Sequence, residues 1–193
     1  PEVTRRVGLL KDKLKGAIRA FVDDFGIELL IVENALAIPL NIPLGLALTE
    51  FIAETAFPAI AHNHDFFWER DRFQVNCGMD YLQAAFPPLL PSIRHVVINS
   101  VAGTQLALRT GLLARLVPNV MDFDHPPPPP DAYAADVRQA LGVAEGGYLL
   151  LQPTRVVQRK GIEHAIELAD RLGPEARLII SHATGDEGDL YER

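Results

Sequence analysis

The spacing of apolar residues over the first 55 positions predicts a helix, a buried strand and a second helix. In the first helix the apolar residues recur at steps of three and four, as on one face of an α-helix: Val7, Leu10, Leu14, Ile18 and Phe21. Gly26 is expected to end this helix. The short apolar run 27–32 is typical of a strand buried on both faces of a parallel sheet. Asn41 then caps the second helix, and Pro43 lies in its first turn, where a missing N–H costs little.

Strands and helices continue to alternate beyond residue 58. We expect strands over residues 59–63, 95–99 and 115–117, and a helix over 101–110 that Gly111 ends. Parallel strands are usually joined by a helix, so this alternation predicts an α/β fold with a parallel sheet and right-handed crossovers.

Five consecutive prolines, residues 126–130, divide the chain. Such a run favours an extended polyproline II conformation and does not fit the interior of a sheet. We interpret residues 124–131 as a linker between a first domain, 1–123, and a second domain, 132–193. A proline-rich surface loop within one domain is the alternative.

The second domain starts a new α/β unit. Asp131 is expected to cap a helix, followed by strands over 148–152 and 178–180 with a helix between them that Gly173 ends. Two strands are too few to enclose a core. The expected fold is therefore α/β, with parts of two Rossmann-like domains that both look incomplete.

Composition narrows the class of protein. Of the 193 residues, 48% are hydrophobic, and 18 Lys+Arg against 25 Asp+Glu give a formal charge of −7, which argues against a nonspecific grip on nucleic acid. The single cysteine, Cys77, excludes an internal disulfide framework. No stretch reaches the roughly 20 apolar residues of a transmembrane helix, and no signal peptide is evident, so a cytoplasmic protein is expected.

Positive charge is concentrated between a strand and a helix in the second domain. Arg155, Arg159 and Lys160 follow the carboxyl end of one strand and precede the start of the next helix. Parallel α/β sheets bind ligands at this position, and helix N-termini favour anions. Arginine can hold two phosphate oxygens at once and lysine adds a compact charge, so the segment suits a diphosphate. A solvated basic turn is the alternative.

These residues carry a resemblance to the retaining glycosyltransferases of family four, which have the two-domain GT-B fold. The C-terminal domain of that family commonly shows Gly-Arg, several residues and then Lys-Gly after its first strand, and Arg155 and Lys160-Gly161 fall on this pattern. Upstream, the segment 96–100, Val-Val-Ile-Asn-Ser, is similar to a strand of the family that ends in serine. The segment 118–122, Pro-Asn-Val-Met-Asp, is similar to the family's Pro-Asn-x-x-Asp element before the interdomain linker. Taken together and in order, the segments that resemble the family span roughly residues 59–193.

The resemblance implies transfer of a sugar from a nucleotide diphosphate sugar to an unknown acceptor, with retention and with no cofactor and no metal. Carried over by position, Arg155 and Lys160 would hold the donor diphosphate and stabilise the leaving group as negative charge develops on it. His64 and Asp65 look like the family's His-Asp pair near the donor sugar, and Asn119 is included among the donor-binding residues. The implied partners are the donor and the acceptor, with an oligomer or the missing remainder of the enzyme left open.

The segment 61–70 has two further interpretations. Phe66 and Phe67 are expected to anchor a loop in the core. Trp68 has two interpretations, as another anchor of this loop or as a stacking surface for a sugar or acceptor. A competing hypothesis treats His62, His64 and Asp65 as metal ligands of a metal-dependent hydrolase, because alternate residues of a strand point the same way. The other histidines show no tight spacing that would complete such a site.

The chain departs from the family in three places. No Gly-rich loop precedes Ile27, the family's paired glutamates would lie beyond Arg193, and Thr154 stands where a glycine usually precedes the arginine. We therefore expect the central fragment of a longer enzyme. A noncatalytic module that binds a nucleotide or another phospho-ligand is the alternative function.

Overall fold

The computed structural model describes residues 2–129, 131–184 and 191. The chain forms two compact units, Pro1–Met121 and Asp122–Arg193. The helices are α1 Glu2–Phe25, α2 Ile42–Thr55, α3 Met79–Ala85, α4 Ser100–Thr110, α5 Val137–Ala140 and α6 Ile162–Leu172. The strands are β1 Leu30–Glu33, β2 Ala59–Asn63, β3 Ile93–Val97, β4 Ala114–Leu116, β5 Tyr148–Gln152 and β6 Ala176–Ile180. Among the helices of the described residues, none has the length and apolar character that crossing a bilayer requires.

Both sheets are parallel throughout. The first unit holds four strands in the order β1-β2-β3-β4, and the second unit holds β5 beside β6. Each neighbouring pair is joined by at least one helix, as parallel pairing requires. The predicted α/β fold with parallel, Rossmann-like sheets is confirmed.

One face of the first sheet packs against helices. Along β2, Ala59, Ala61 and Asn63 are buried, whereas Ile60 and His62 between them are only half-buried. The main core cluster joins this packed face to the helices: Val22 of α1, Leu48, Phe51 and Ile52 of α2, Val32 of β1, Leu36, Ala59 and Ala61 of β2, and Ile93 of β3. The second face is more open, because Ile31 of β1 is 62% exposed. The expectation that the first strand is buried on both faces is therefore wrong for this part of the chain.

The connection after β2 folds back on the sheet. Phe66 is fully buried with Val97 and Leu106, and Phe67 packs against a smaller cluster around Leu82 and Phe86. The expected anchoring role is thus confirmed for Phe66, and Phe67 is half-buried.

Helix α3 was missed by the sequence analysis. It spans only seven residues, and no side chain caps its N-terminus, so the usual start signal is absent. It is fixed by packing, because Leu82, Ala85 and Phe86 are all buried. Phe86 lies so close to Gly45 of α2 that a Cβ there would come within 2.2 Å of its ring.

Several predicted bounds agree with the structure. Strands β2 and β5 have the predicted limits, and the Asn41 side chain caps α2 by accepting from the Leu44 N–H at 3.0 Å. Strands β3 and β6 begin two residues earlier than expected, because parallel pairing starts at Ile93 and Ala176. The predicted cap at Asp131 is wrong: its carboxylate closes a turn onto the Ala134 N–H, and α5 begins later, at Val137.

The second unit buries little in the described residues. Its two strands and α6 leave Leu151 59% and Ile166 54% exposed, while Val157 and Ile162 are buried. Residues 126–129 of the proline run have no regular secondary structure, and Pro130 lies outside the described residues. A linker over 124–131 between two domains stays a prediction.

Carboxylates on α2 hold α1 in place. Glu50 accepts from Lys11 at 2.6 Å and from Lys15 at 2.9 Å, and Glu54 also pairs with Lys15. The hydrogen bond from Lys11 is the main cause that lowers the pKa of the Glu50 carboxyl, with partial burial acting the other way. The network ties two helices that are far apart in sequence.

We expect Glu50→Gln to lower the free energy of unfolding at pH 7 by less than about 1 kcal/mol, since the pair is partly exposed and screened. Because the folded pKa of Glu50 is lowered, its contribution is present above the unfolded pKa and is lost as the pH falls through the folded pKa. Urea unfolding of both proteins at pH 7 and pH 3 measures this difference. Glu28→Gln, at an exposed position, is the control, and an equal loss at both pH values would contradict the expectation.

Candidate functional site

Two groups of polar side chains lie at the carboxyl ends of strands, one in each unit. In the first unit the parallel register sets Glu33, the last residue of β1, opposite His62 of β2. His64 follows two residues later and reaches the same carboxylate. The Glu33 Oε2 atom lies 3.0 Å from His62 Nδ1 and 3.2 Å from His64 Nε2. The two imidazole rings are 4.7 Å apart between centroids.

Asn34 locks the ends of β1 and β2 together. Its backbone has a left-handed φ of 57°, a conformation that asparagine tolerates better than most residues. Its side-chain oxygen accepts from the His64 N–H at 3.0 Å, and its amide nitrogen donates to Asp65 Oδ1 at 2.9 Å. These bonds fix the backbone from which the His64 imidazole projects.

Asp65 is held on both sides. Its Oδ1 atom accepts from Asn34, and its Oδ2 atom accepts from Arg70 at 2.5 Å. Both oxygens therefore have partners within the protein. In the metal-site hypothesis Asp65 was the third ligand, but the structure places Glu33 in that position and turns Asp65 toward Arg70.

The charge state of the first group follows from these contacts. The hydrogen bond with His62 is the largest cause that lowers the pKa of the Glu33 carboxyl, and His64 acts in the same direction. Glu33 therefore stays ionised at neutral pH. One ring nitrogen of His62, Nε2, is buried and has no hydrogen-bond partner among the described residues.

A buried polar pair lies under the packed face of the sheet. Asn63 donates to the carbonyls of Ala61 at 3.0 Å and Val96 at 3.1 Å, and its amide faces the ring of His95. Burial lowers the pKa of His95, with a hydrogen bond to the Pro88 backbone acting the other way. Neutral His95 and Asn63 tie β2 to β3 directly behind the site.

Trp68 lies beside a polar cavity of the first unit. Its ring stacks on Phe66 with centroids 4.5 Å apart, and the Arg109 guanidinium lies 5.4 Å from its centroid. A cavity of about 490 Å³ opens between this tryptophan and the start of α4, and Glu69, Asn99 and Arg109 line it. Burial is the main cause that raises the pKa of the Glu69 carboxyl. Trp68 is thus both a core anchor and a cavity wall.

The second group is cationic and lies in the second unit. A cavity of about 290 Å³ follows the carboxyl end of β5, and it is lined by Pro153, Thr154, Arg155, Arg159, Lys160 and His182. This volume is near the lower limit of small-molecule sites, so it fits a diphosphate better than a whole nucleotide sugar. Arg155 is half-buried, whereas Arg159 and Lys160 are exposed.

Helix α6 begins two residues after Lys160, which lines this cavity. Gly161 precedes the helix with a left-handed φ of 60°, and a Cβ there would come within 2.9 Å of the His164 ring. Among the described residues, no side chain caps the helix N-terminus. Uncapped N–H groups at a helix start favour an anion. The start of α6 therefore has the same preference for negative charge as the cationic side chains.

The structure brings some of the predicted residues together. Arg155 and Lys160 share the cationic cavity, and His64 and Asp65 are neighbours at the end of β2. Asn119 is exposed beyond the end of β4. Sequence reasoning did not identify Glu33, Asn34 and His182 as site residues. Glu33 and Asn34 reach the first group through the pairing of β1 with β2. His182 reaches the cationic cavity from the segment that follows β6.

We expect Asn34→Gly to destabilise the first unit by about 1–3 kcal/mol, because glycine keeps the left-handed backbone but removes both side-chain hydrogen bonds. Urea unfolding of the chain measures the loss. Asn41→Gly is a matched control that removes a helix cap, for which only a few tenths of a kcal/mol are expected. Equal stability of Asn34→Gly and the unchanged chain would show that these bonds do not hold the strand ends together.

The sequence is similar to two proteins named mannosylglucosylglycerate synthase. The protein from Petrotoga mobilis is 34% identical over 162 residues, which are 82% of this chain and 37% of that protein. The protein from Thermotoga maritima is 38% identical over 147 residues, 75% of this chain and 33% of that protein. The chain thus spans about a third of the length of these relatives. No protein-family model matches the sequence. At the general level, the similarity supports the predicted relation to glycosyltransferases.

Proposed function

We propose that the chain is part of a glycosyltransferase that transfers a sugar from a nucleotide diphosphate sugar to an acceptor. The observation that carries this proposal is the cationic cavity at the junction of β5 and α6, which collects Arg155, Arg159 and Lys160. The similarity to two synthases of a sugar conjugate supports it from an independent direction.

The cavity has the properties that a leaving diphosphate needs. As the bond between the sugar and the diphosphate breaks, negative charge grows on the leaving oxygen. Arg155 and Lys160 would neutralise this charge through short, charge-assisted hydrogen bonds, and the α6 N-terminus adds N–H donors. Such stabilisation requires no carboxylate nucleophile. In this proposal, transfer proceeds with retention in a two-domain GT-B enzyme without a cofactor, and the protein is cytoplasmic.

His64 is the proposed contact to the donor sugar. Its imidazole lies at the carboxyl edge of the first sheet and is 42% exposed, so it is accessible to a ligand. Asp65, which accepts hydrogen bonds from Asn34 and Arg70, fixes the backbone next to His64. Asp65 and Asn119 are further proposed donor-binding residues. The Glu33 carboxylate orients the His64 ring.

The names of the relatives describe a mannosylglucosylglycerate as their product. We propose the same product class for the full protein, which makes the acceptor a small sugar–acid conjugate. Such an acceptor carries a carboxylate. Trp68 and Arg109 both line the cavity beside α4. The aromatic ring can stack on a sugar face, and the guanidinium can bind a carboxylate.

One observation favours a noncatalytic alternative. The described residues that line the cationic cavity all belong to the second unit, and binding of a diphosphate group there does not require sugar transfer. Turnover separates the two functions: glycosyl transfer by the full-length gene product would exclude a pure binding module.

We expect the chain to bind one of UDP, GDP and ADP, and the double variant Arg155→Ala, Lys160→Ala to weaken that binding at least about tenfold, since each lost charged hydrogen bond contributes roughly 1.5–3 kcal/mol. Isothermal titration calorimetry measures the affinity, and urea unfolding shows whether the fold is kept. Arg171→Ala, which removes an exposed cation from the last turn of α6, is the matched control. Unchanged nucleotide affinity in the double variant would show that the diphosphate does not bind in this cavity.

We expect His64→Ala to lower kcat of sugar transfer about tenfold in the full-length enzyme and to leave nucleotide affinity unchanged, because a single hydrogen bond to the sugar is lost. Steady-state kinetics with a nucleotide sugar, together with calorimetry of the nucleotide, measures both quantities. His125→Ala, at an exposed histidine before the proline run, is the control. An unchanged kcat would exclude His64 from the sugar contact.

A further inference from the structure

Within the described part of the chain, one group of three His, Cys, Asp or Glu side chains has ligand atoms that converge. It consists of Glu33, His62 and His64, and one ligand atom from each lies within 4.8 Å of the others. The sequence already pairs His62 with His64 by alternation, but Glu33 comes from a different strand. The convergence therefore is a property of the folded sheet.

The two distances from Glu33 to the histidines are close to those of ligands that share a metal ion. Two ligands bound tetrahedrally to zinc at about 2.0–2.1 Å are about 3.3–3.4 Å apart. The Glu33 Oε2 atom lies 3.0 Å from His62 Nδ1 and 3.2 Å from His64 Nε2. Both imidazoles thus point their nitrogens at one carboxylate oxygen, and an ion that replaces the shared protons needs only small movements.

The ligand types select the class of ion. Two imidazoles and one carboxylate are a common ligand set of zinc and other first-row transition metals, whereas magnesium and calcium prefer oxygen ligands alone. Glu33 is 60% exposed and His64 is 42% exposed, so an ion can enter from solvent and keep an open position.

The surrounding structure holds the ligands in place before an ion arrives. Strand pairing fixes Glu33 opposite His62, and Asn34 fixes the backbone of His64. Asp65 is bound to Asn34 and Arg70, so it does not compete for the ion. Preorganised ligands lose little conformational freedom on binding, which favours affinity.

We propose that Glu33, His62 and His64 bind a divalent transition-metal ion, for which zinc is the best match, at the carboxyl edge of the first sheet. The cationic cavity, which is the proposed anion site, belongs to the second unit, whereas Glu33, His62 and His64 belong to the first. An ion held by these three side chains would bind His64 Nε2, the ring nitrogen that lies 3.2 Å from Glu33, and would therefore involve the same imidazole as the proposed sugar contact.

The test titrates zinc into the untagged 193-residue chain carrying Cys77→Ser, because the exposed thiol is a competing ligand. Calorimetry gives the stoichiometry, and cobalt absorption spectra report the coordination geometry in the same protein. The variants Glu33→Gln and His64→Ala remove one ligand each at exposed positions, and circular dichroism confirms that each is folded. His125→Ala and Glu28→Gln are the matched controls.

We expect one equivalent of zinc to bind, with affinity lowered tenfold or more in Glu33→Gln and in His64→Ala and unchanged in both controls. The melting temperature of the unchanged chain should rise with zinc, since the ion binds the folded state. Absence of stoichiometric binding, or equal affinity in Glu33→Gln, would overturn the proposal. Titration of the Arg155→Ala, Lys160→Ala variant should give the same zinc affinity, which separates this result from the fate of the diphosphate site.

Discussion

The parallel pairing of β1 with β2 is the constraint on which the first site depends. Its register runs from Leu30 opposite Ala59 to Glu33 opposite His62. Side chains alternate between the faces of a sheet, so a slip of one residue would move Glu33 to the packed face and leave the histidines without their carboxylate. Burial opposes such a slip, since Val32 is buried in the core cluster with Ala59 and Ala61, whereas its neighbour Glu33 is exposed. The same packing that stabilises the fold thus sets the chemistry at its edge.

The sequence predicted those features that interactions between near neighbours in the chain determine. The cap at Asn41, the limits of β2 and β5 and the cationic turn before α6 all follow from residues within a few positions of each other. Helix α3 is different, because packing of Leu82 and Phe86 against α2 fixes it and no capping side chain marks its start. Non-local packing is the information that a single sequence shows least.

The same distinction explains which site residues were found. His64 and Asp65 were recognised from their position after a strand, but their partners were not. Glu33 and Asn34 lie about 30 residues earlier, and only the strand register brings them to His64 and Asp65. Asp65 looked like a ligand in the sequence, yet both its oxygens bind protein groups. A carboxylate that is already paired on both sides costs more to redirect toward a ligand than an exposed one.

The imidazole of His64 joins the two proposals for the first unit. Its Nε2 atom lies 3.2 Å from Glu33 Oε2, and a metal ion at the site would bind this nitrogen. If the site serves sugar transfer, Glu33 orients the ring for the sugar, and bound zinc would take both the imidazole and its carboxylate partner. Zinc would then inhibit transfer without weakening nucleotide binding, because the cations proposed to hold the diphosphate belong to the other unit. Substitution of Glu33 would weaken zinc binding and would also remove the partner that orients the ring, so zinc affinity and sugar transfer are both expected to fall.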